Sequence, residues 1–259
     1  MRPLTILRAS TVAAESHARH GQHLERIECR SDVVHVVRLC LDDTIDGAID
    51  LLDGDERNRA ARFMFDQDRR RFIASHAGTR LVLAKCLGRA AESLRFSIGP
   101  FGKPRLIDPP QDVRFNLSHA GERALLAITL GQEIGVDLEA HRPIEVIELA
   151  QKFFGPREIE ALEMLPEPER ASAFFRCWTR KEAFIKALGQ GLSFPLDGFE
   201  VSVQDDGSSQ LLRTCVAAPD ALRRWRIVAL DAEPGYAAAL AAGPTAWQVC
   251  RWDVTTQRY

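Results

Sequence analysis

Short apolar runs of strand length, broken by turn residues and interrupted by longer stretches of helical spacing, constrain the fold of this 259-residue chain most tightly. Val33 to Leu41 (VVHVVRLCL) has the β-branched composition of a first strand, and Asp53-Gly54 marks a break after it. From Glu56 to Leu87 the apolar residues Phe63, Phe72, Ile73, Leu81 and Leu83 recur at helical intervals among arginines, with Gly88 as the stop. Leu94 to Ile98 reads as a short strand before a loop punctuated by Gly99-Pro100, Pro104 and Pro109-Pro110. Val113 to Leu117, Ala124 to Leu130 and Ile134 to Leu138 then read as three strands joined by tight turns, an expected antiparallel meander. Ile144 to Phe154, Pro156 to Leu165 and Arg170 to Leu188 read as helices, the last ended by Gly189. Phe199 to Val203, Leu211 to Val216, Trp225 to Leu230 and Tyr236 to Leu240 return to strands. This order suits an α+β fold rather than regular βαβ alternation. No residue-level repeat links the two halves.

Composition narrows the functional classes. With 34 Lys and Arg against 36 Asp and Glu, the formal charge of −2 provides no global field for nucleic acid. The six cysteines, Cys29, Cys40, Cys86, Cys177, Cys215 and Cys250, stand singly, without the paired spacing of a zinc site or disulfide framework. Reduced thiols and a cytoplasmic location are the expectation. Residues 1–30 lack the apolar core of a signal peptide and read as a polar, loosely ordered extension, and no apolar run reaches membrane-spanning length.

The chemistry concentrates in two places. In IGVDLE, Asp137 and Glu139 are two residues apart on a strand, so both carboxylates leave the same face. They suit a hard cation such as magnesium, which takes one or two carboxylates plus water and phosphate oxygens; the alternative is a solvated strand end. On the last helix, Phe174, Trp178, Ile185 and Leu188 form an apolar stripe, with Glu182 and Lys186 one turn apart on its flank. That pair reads either as a surface ion pair or as part of a site. Lys181 falls within the stripe, where an ammonium must be paired or serve a ligand, so the helix is expected to present charge to a shared site.

Weaker candidates flank these. FNLSH ends in Ser118 and His119, two hydrogen-bond donors suited to a phosphate at a turn, and Lys103 lies between Gly102 and Pro104. Arg57, Arg59, Arg62, Arg69, Arg70 and Arg71 crowd the first helical segment, where most read as a solvated face. Gly189-Gln-Gly191 is a helix-ending turn rather than a phosphate loop, and His17, His20 and His23 have no further ligands nearby. No nucleophile elbow or paired-histidine zinc helix is present.

In order along the chain, GKP (Gly102 to Pro104), FNLSH (Phe115 to His119), GVDLE (Gly135 to Glu139) and WTRKEAFIK (Trp178 to Lys186) resemble the signature of the 4′-phosphopantetheinyl transferase superfamily. Spacing and length are similar to its broad-specificity, surfactin-synthetase-activating branch. The resemblance implies a monomer of two similar α+β halves related by a pseudo-twofold, each with a small antiparallel sheet packed on helices, here residues 31–130 and 131–259. It implies coenzyme A in the cleft between them as cosubstrate. It implies magnesium on Asp137, Glu139 and Glu182, with Lys186 on the diphosphate. Lys103, Ser118 and His119 match contacts to the 3′-phosphate, Arg59 and Arg71 fall near further basic contacts, and Trp178 and Lys181 are supporting. The implied partner is an acyl- or peptidyl-carrier domain of a fatty acid, polyketide or nonribosomal peptide synthase, with no nucleic acid and no membrane.

The chain departs from the pattern where Ala120 replaces a second serine and Glu56 stands in place of an expected lysine. Attack of a serine hydroxyl on phosphorus needs charge neutralisation, alignment and removal of a proton, by Glu182 directly or through a metal-bound water. Two other classes fit part of the pattern: a non-catalytic module that binds coenzyme A or a carrier, and an unrelated metal-dependent phosphodiesterase.

Overall fold

The computed structural model describes residues 4–11, 27–43, 45–191, 194–204, 211–214, 224–243 and 246–256. In chain order the strands and α-helices begin with β1 (Leu4–Thr11), β2 (Val33–Cys40), α1 (Ala48–Leu51), α2 (Gly54–Ala60) and α3 (Asp66–Leu87). They continue with β3 (Phe96–Ile98), β4 (Pro104–Leu106), β5 (Val113–Ala120), β6 (Arg123–Leu130), β7 (Ile134–Ala140), α4 (Val146–Phe153), α5 (Pro156–Glu163) and α6 (Glu167–Leu188). The chain closes with β8 (Phe199–Val201), β9 (Leu211–Thr214), β10 (Arg226–Leu230), β11 (Tyr236–Ala242) and β12 (Gln248–Thr256). The class is α+β, with small sheets packed against helices.

The first unit is built on a five-stranded sheet of order β1-β12-β2-β6-β5. β5 and β6 form the expected hairpin, in register from Val113 opposite Leu130 to Ala120 opposite Arg123, with Gly121 at φ 56° in the turn. Val37, Leu39, Phe115, Leu126 and Ile128 bury one face of this sheet against Val82, Leu83, Cys86 and Leu87 of α3. The helical stretch expected from Glu56 to Leu87 is broken at residues 61–65. Asp53 caps α2 in a reciprocal capping box with Glu56, and Asp66 and Asp68 supply the negative charge that favours a fresh helix start at α3. Glu56 also accepts from Arg80 Nε at 2.8 Å and lies 2.8 Å from His76 Nδ1, and Arg80 Nη2 reaches Asp53 at 2.7 Å. The acidic residue at position 56 is therefore part of a structural network around the buried Arg80 guanidinium.

The second unit carries a three-stranded antiparallel sheet of order β10-β11-β7 beneath α6, with α4 and α5 packed nearby. Its core joins Phe174, Phe175, Phe184 and Ile185 of α6 to Ala237, Ala239 and Ala241 of β11.

Three expectations need correction. The meander is not formed, because β7 pairs with β11, from Ile134 opposite Ala242 to Tyr236 opposite Ala140, and not with β6. The turn at Gly131 (φ 74°) leaves the first sheet after β6, and strand alternation alone cannot choose between two possible partners. The stretch 1–30 is not uniformly loose, since β1 pairs with β12 antiparallel and Ile27 is fully buried; residues 12–26, with His17, His20 and His23, lie outside the described residues. Finally, β12 pairs with β2 in parallel and belongs to the first unit rather than to a 131–259 half, while residues 98–103 group with the second. Residues 215 and 216 of the expected strand at Leu211, and Cys215 with them, are outside the described residues.

Candidate active site

β7 (IGVDLEA) places Gly135, Asp137 and Glu139 on one face by the two-residue alternation of a strand. α6 crosses that face at Gly135. A methyl group there would stand 2.9 Å from the carbonyl carbon of Lys186 and closer still to Ala183 O and Ala187 N, so only a residue without a side chain allows the approach. Ala183 and Ala187 are fully buried at this crossing, and Glu182 and Lys186, one position before each, project beside it on one flank of the helix.

The crossing joins what the sequence keeps 49 residues apart: Lys186 Nζ donates to Asp137 Oδ1 at 2.6 Å. The Asp137 side chain is 5% exposed and that of Lys186 is 29% exposed, so the ion pair lies at the border of core and solvent. Glu182 is buried, and among the described residues its Oε1 has no hydrogen-bond partner. Burial pushes its carboxyl up to about 7; Asp137 adds to the rise, Lys186 opposes it, and Glu139 adds a smaller push. These couplings mark the three carboxylates as neighbours. Glu139 is half-buried and accepts from Arg142 Nη1 at 3.0 Å.

Among the described residues no three His, Cys, Asp or Glu side chains form a ready-made metal cage. The donor set nevertheless fits a hard cation: it is all oxygen, mutually repelling, and includes a buried carboxylate oxygen that lacks a partner. Magnesium takes only one or two carboxylates from many proteins and completes its shell with water and phosphate oxygens.

The other expected site residues fall elsewhere. Lys181 is fully buried and does not face the carboxylates: its Nζ donates to both oxygens of Glu158 (2.8 and 2.6 Å) and to Phe199 O (2.6 Å). Glu158 in turn accepts from the backbone of Gly155 and Val201, so this lysine secures α6 to α5 and β8 instead of serving a shared site. Trp178 stacks with Phe174 at 5.9 Å between ring centroids, as a supporting residue would. Ser118 and His119 are consecutive on β5, which runs on to Ala120, so they leave opposite faces; Ser118 is buried and His119 exposed. Arg71 makes a bidentate pair with Asp42 (2.7 and 3.0 Å), and Arg59 lies over the Phe72 ring at 5.2 Å. Lys103 donates to Glu133, Ile134 O and Ala187 O.

Sequence reasoning missed two participants. Gly135 had a legible signal, since a glycine inside a strand run often marks a close backbone approach. Arg142 had none, being an ordinary arginine in a polar turn.

Buried Asp137 and Glu182, half-buried Glu139 and the Lys186 ammonium thus gather oxygen donors and one cation on a single face of the second unit. Comparison with known proteins is more specific. A family model described as 4′-phosphopantetheinyl transferase superfamily matches residues 133–241, and one described as 4′-phosphopantetheinyl transferase, N-terminal, matches residues 41–130. The 4′-phosphopantetheinyl transferase HetI of Nostoc is 37% identical over 228 residues, 86% of this chain and 92% of that protein. The 4′-phosphopantetheinyl transferase Sfp of Bacillus subtilis is 33% identical over 188 residues, 73% of this chain and 80% of that protein. The chain belongs to the 4′-phosphopantetheinyl transferase superfamily.

Proposed function

We propose that this enzyme transfers the 4′-phosphopantetheine arm of coenzyme A to a serine of an acyl- or peptidyl-carrier domain and releases adenosine 3′,5′-bisphosphate. The observation that carries the reading is the crossing of α6 over Gly135, which gathers Asp137, Glu139, Glu182 and Lys186. Asp137, Glu139 and Glu182 are the residues that would hold magnesium, which when bound supplies charge neutralisation at the diphosphate. Lys186 is assigned to the diphosphate, where its ammonium balances the charge that develops on the leaving group. Glu182 is assigned the proton of the serine hydroxyl. The serine oxygen forms its bond to the phosphorus that carries pantetheine as the bond to the adenylate phosphate breaks. Ser118, His119, Arg59 and Arg71 are kept as contacts to the 3′-phosphate on the resemblance alone. A monomeric state and a cytoplasmic location belong to the same reading. No helix among the described residues is long and apolar enough to cross a membrane.

The test is the intact mass of apo carrier domains from fatty acid, polyketide and nonribosomal peptide synthases after incubation with the protein, coenzyme A and magnesium. Addition of one phosphopantetheine to a carrier is expected. Cleavage of coenzyme A without a carrier would instead indicate a phosphodiesterase, and binding without any mass change a silent module.

A further inference from the structure

Lys103 stands where the resemblance implies a phosphate contact, yet its side chain is only 9% exposed and its ammonium is already engaged. It donates to Glu133 Oε2 at 2.9 Å, Ile134 O at 2.9 Å and Ala187 O at 3.3 Å. An ammonium has three hydrogens, and the acceptors around Lys103 include these three.

The acceptors are placed tellingly. Ile134 opens β7 three residues before Asp137, and Ala187 directly follows Lys186 in the last turn of α6. Ala187 O belongs to the last turn, whose carbonyls lack intrahelical donors and carry the negative end of the helix dipole, so a cation is favoured there. The loop that delivers the lysine is itself tied down. Gly102 adopts φ 85°, Gly99 N–H donates to Lys103 O at 2.9 Å, and Phe101 lies beside Gly191 just beyond the end of α6. One partly buried cation thus binds the start of β7 to the end of α6, close to where those elements carry Asp137 and Lys186.

We propose that Lys103 is a positioning residue for the transfer reaction, a strut between β7 and α6 that sets the Asp137–Lys186 spacing, and not a phosphate contact. The inference rests on the transferase reading above. Lys103 acts through the backbone of both elements, so its loss is felt in the chemical step rather than in the grip on the nucleotide.

The test compares wild type, Lys103→Met and Glu133→Gln for kcat, KM and thermal midpoint, with coenzyme A and its 3′-dephospho form as donors. Lys103→Met is expected to lower kcat roughly tenfold through misalignment. KM for coenzyme A should change by less than about twofold, because no binding group has been removed. The ratio of kcat/KM between the two donors should match wild type. A KM raised roughly tenfold, with that ratio collapsing towards one, would show a phosphate contact and overturn the proposal. If Lys103→Met does not fold, Glu133→Gln decides. It is expected to lower kcat about threefold by weakening one charged anchor, with the donor ratio unchanged, and a wild-type kcat would count against the strut. Failure of the wild-type protein to modify any carrier would sink the transferase reading itself, a result distinguishable before any variant is made.

Discussion

Replacing Gly135 by alanine inserts one methyl group at the point where α6 rests on β7. The new carbon would lie 2.9 Å from the carbonyl carbon of Lys186, against the 3.4 Å at which ordinary contact begins, and still closer to two other backbone atoms. Backbone cannot rotate away as a flexible side chain can, so the helix must retreat as a body, by on the order of 1 Å given the density of protein interiors. Overpacking of this kind costs about 1–3 kcal/mol, which for a protein of this size lowers the thermal midpoint by several degrees, at roughly 2–4 °C per kcal/mol. The larger effect is expected at the site. Lys186 and Glu182 ride on the displaced helix, the 2.6 Å contact of Lys186 with Asp137 opens, and a misplacement of about 1 Å can reduce turnover by roughly 10²-fold. Carrier modification followed by intact mass against time, beside a thermal melt, reads both effects. A Gly135→Ala protein with wild-type turnover would refute the claim that this close approach assembles the site.

Three further outcomes are expected. Glu182→Gln should reduce transfer on the order of 10²-fold while leaving the melting temperature unchanged or raised, because it removes the cost of burying a carboxylate and its repulsion by Asp137 and Glu139, which outweigh the attraction of Lys186; a large loss of stability would contradict that environment. Lys181→Met should destabilise the fold by about 3–5 kcal/mol in urea titrations, since it strands the buried Glu158 carboxylate, whereas Lys181→Met combined with Glu158→Leu should recover only part of the loss, because the Gly155 and Val201 N–H groups lose their acceptor. Glu56 is the source of a pH dependence. Burial opposes its ionisation, but His76, the Asp53 N–H and Arg80 outweigh burial and bring it down to about 2 from 4.5. A depressed folded-state value gives stability that is fully present above about pH 4.5 and lost as pH falls through about 2, so Glu56→Gln should cost about 3 kcal/mol at neutral pH, with the gap closing over that interval. A pH-independent difference between the two proteins would exclude this origin.

The Lys181 and Lys186 pair shows where reading the chain succeeds and where it stops. Both lysines lie on the same helix, one turn and a residue apart; helical spacing puts Lys181 in the apolar stripe and Lys186 on its flank, but it does not say that one ammonium meets Glu158 and the other Asp137. Glu158 is 23 residues from its lysine and Asp137 is 49 from its own, so each pairing depends on how distant elements pack. The placement of Ser118 and His119 differs from the expected turn for a simpler reason. The strand continues two residues past Ser118, and each added residue alternates the face, so a supposed turn pair becomes an inside-outside pair.

Local periodicity determined most of the elements, the shared strand face of Asp137 and Glu139, and the shared helix flank of Glu182 and Lys186, because strand alternation and helical pitch act over only a few residues. Tertiary structure alone decided that β7 pairs with β11, that β12 returns to β2, and that α6 settles on Gly135 with Lys103 clamped across the junction. Those choices rest on close packing and satisfied hydrogen bonds between residues far apart in the chain, which no local pattern of side chains records.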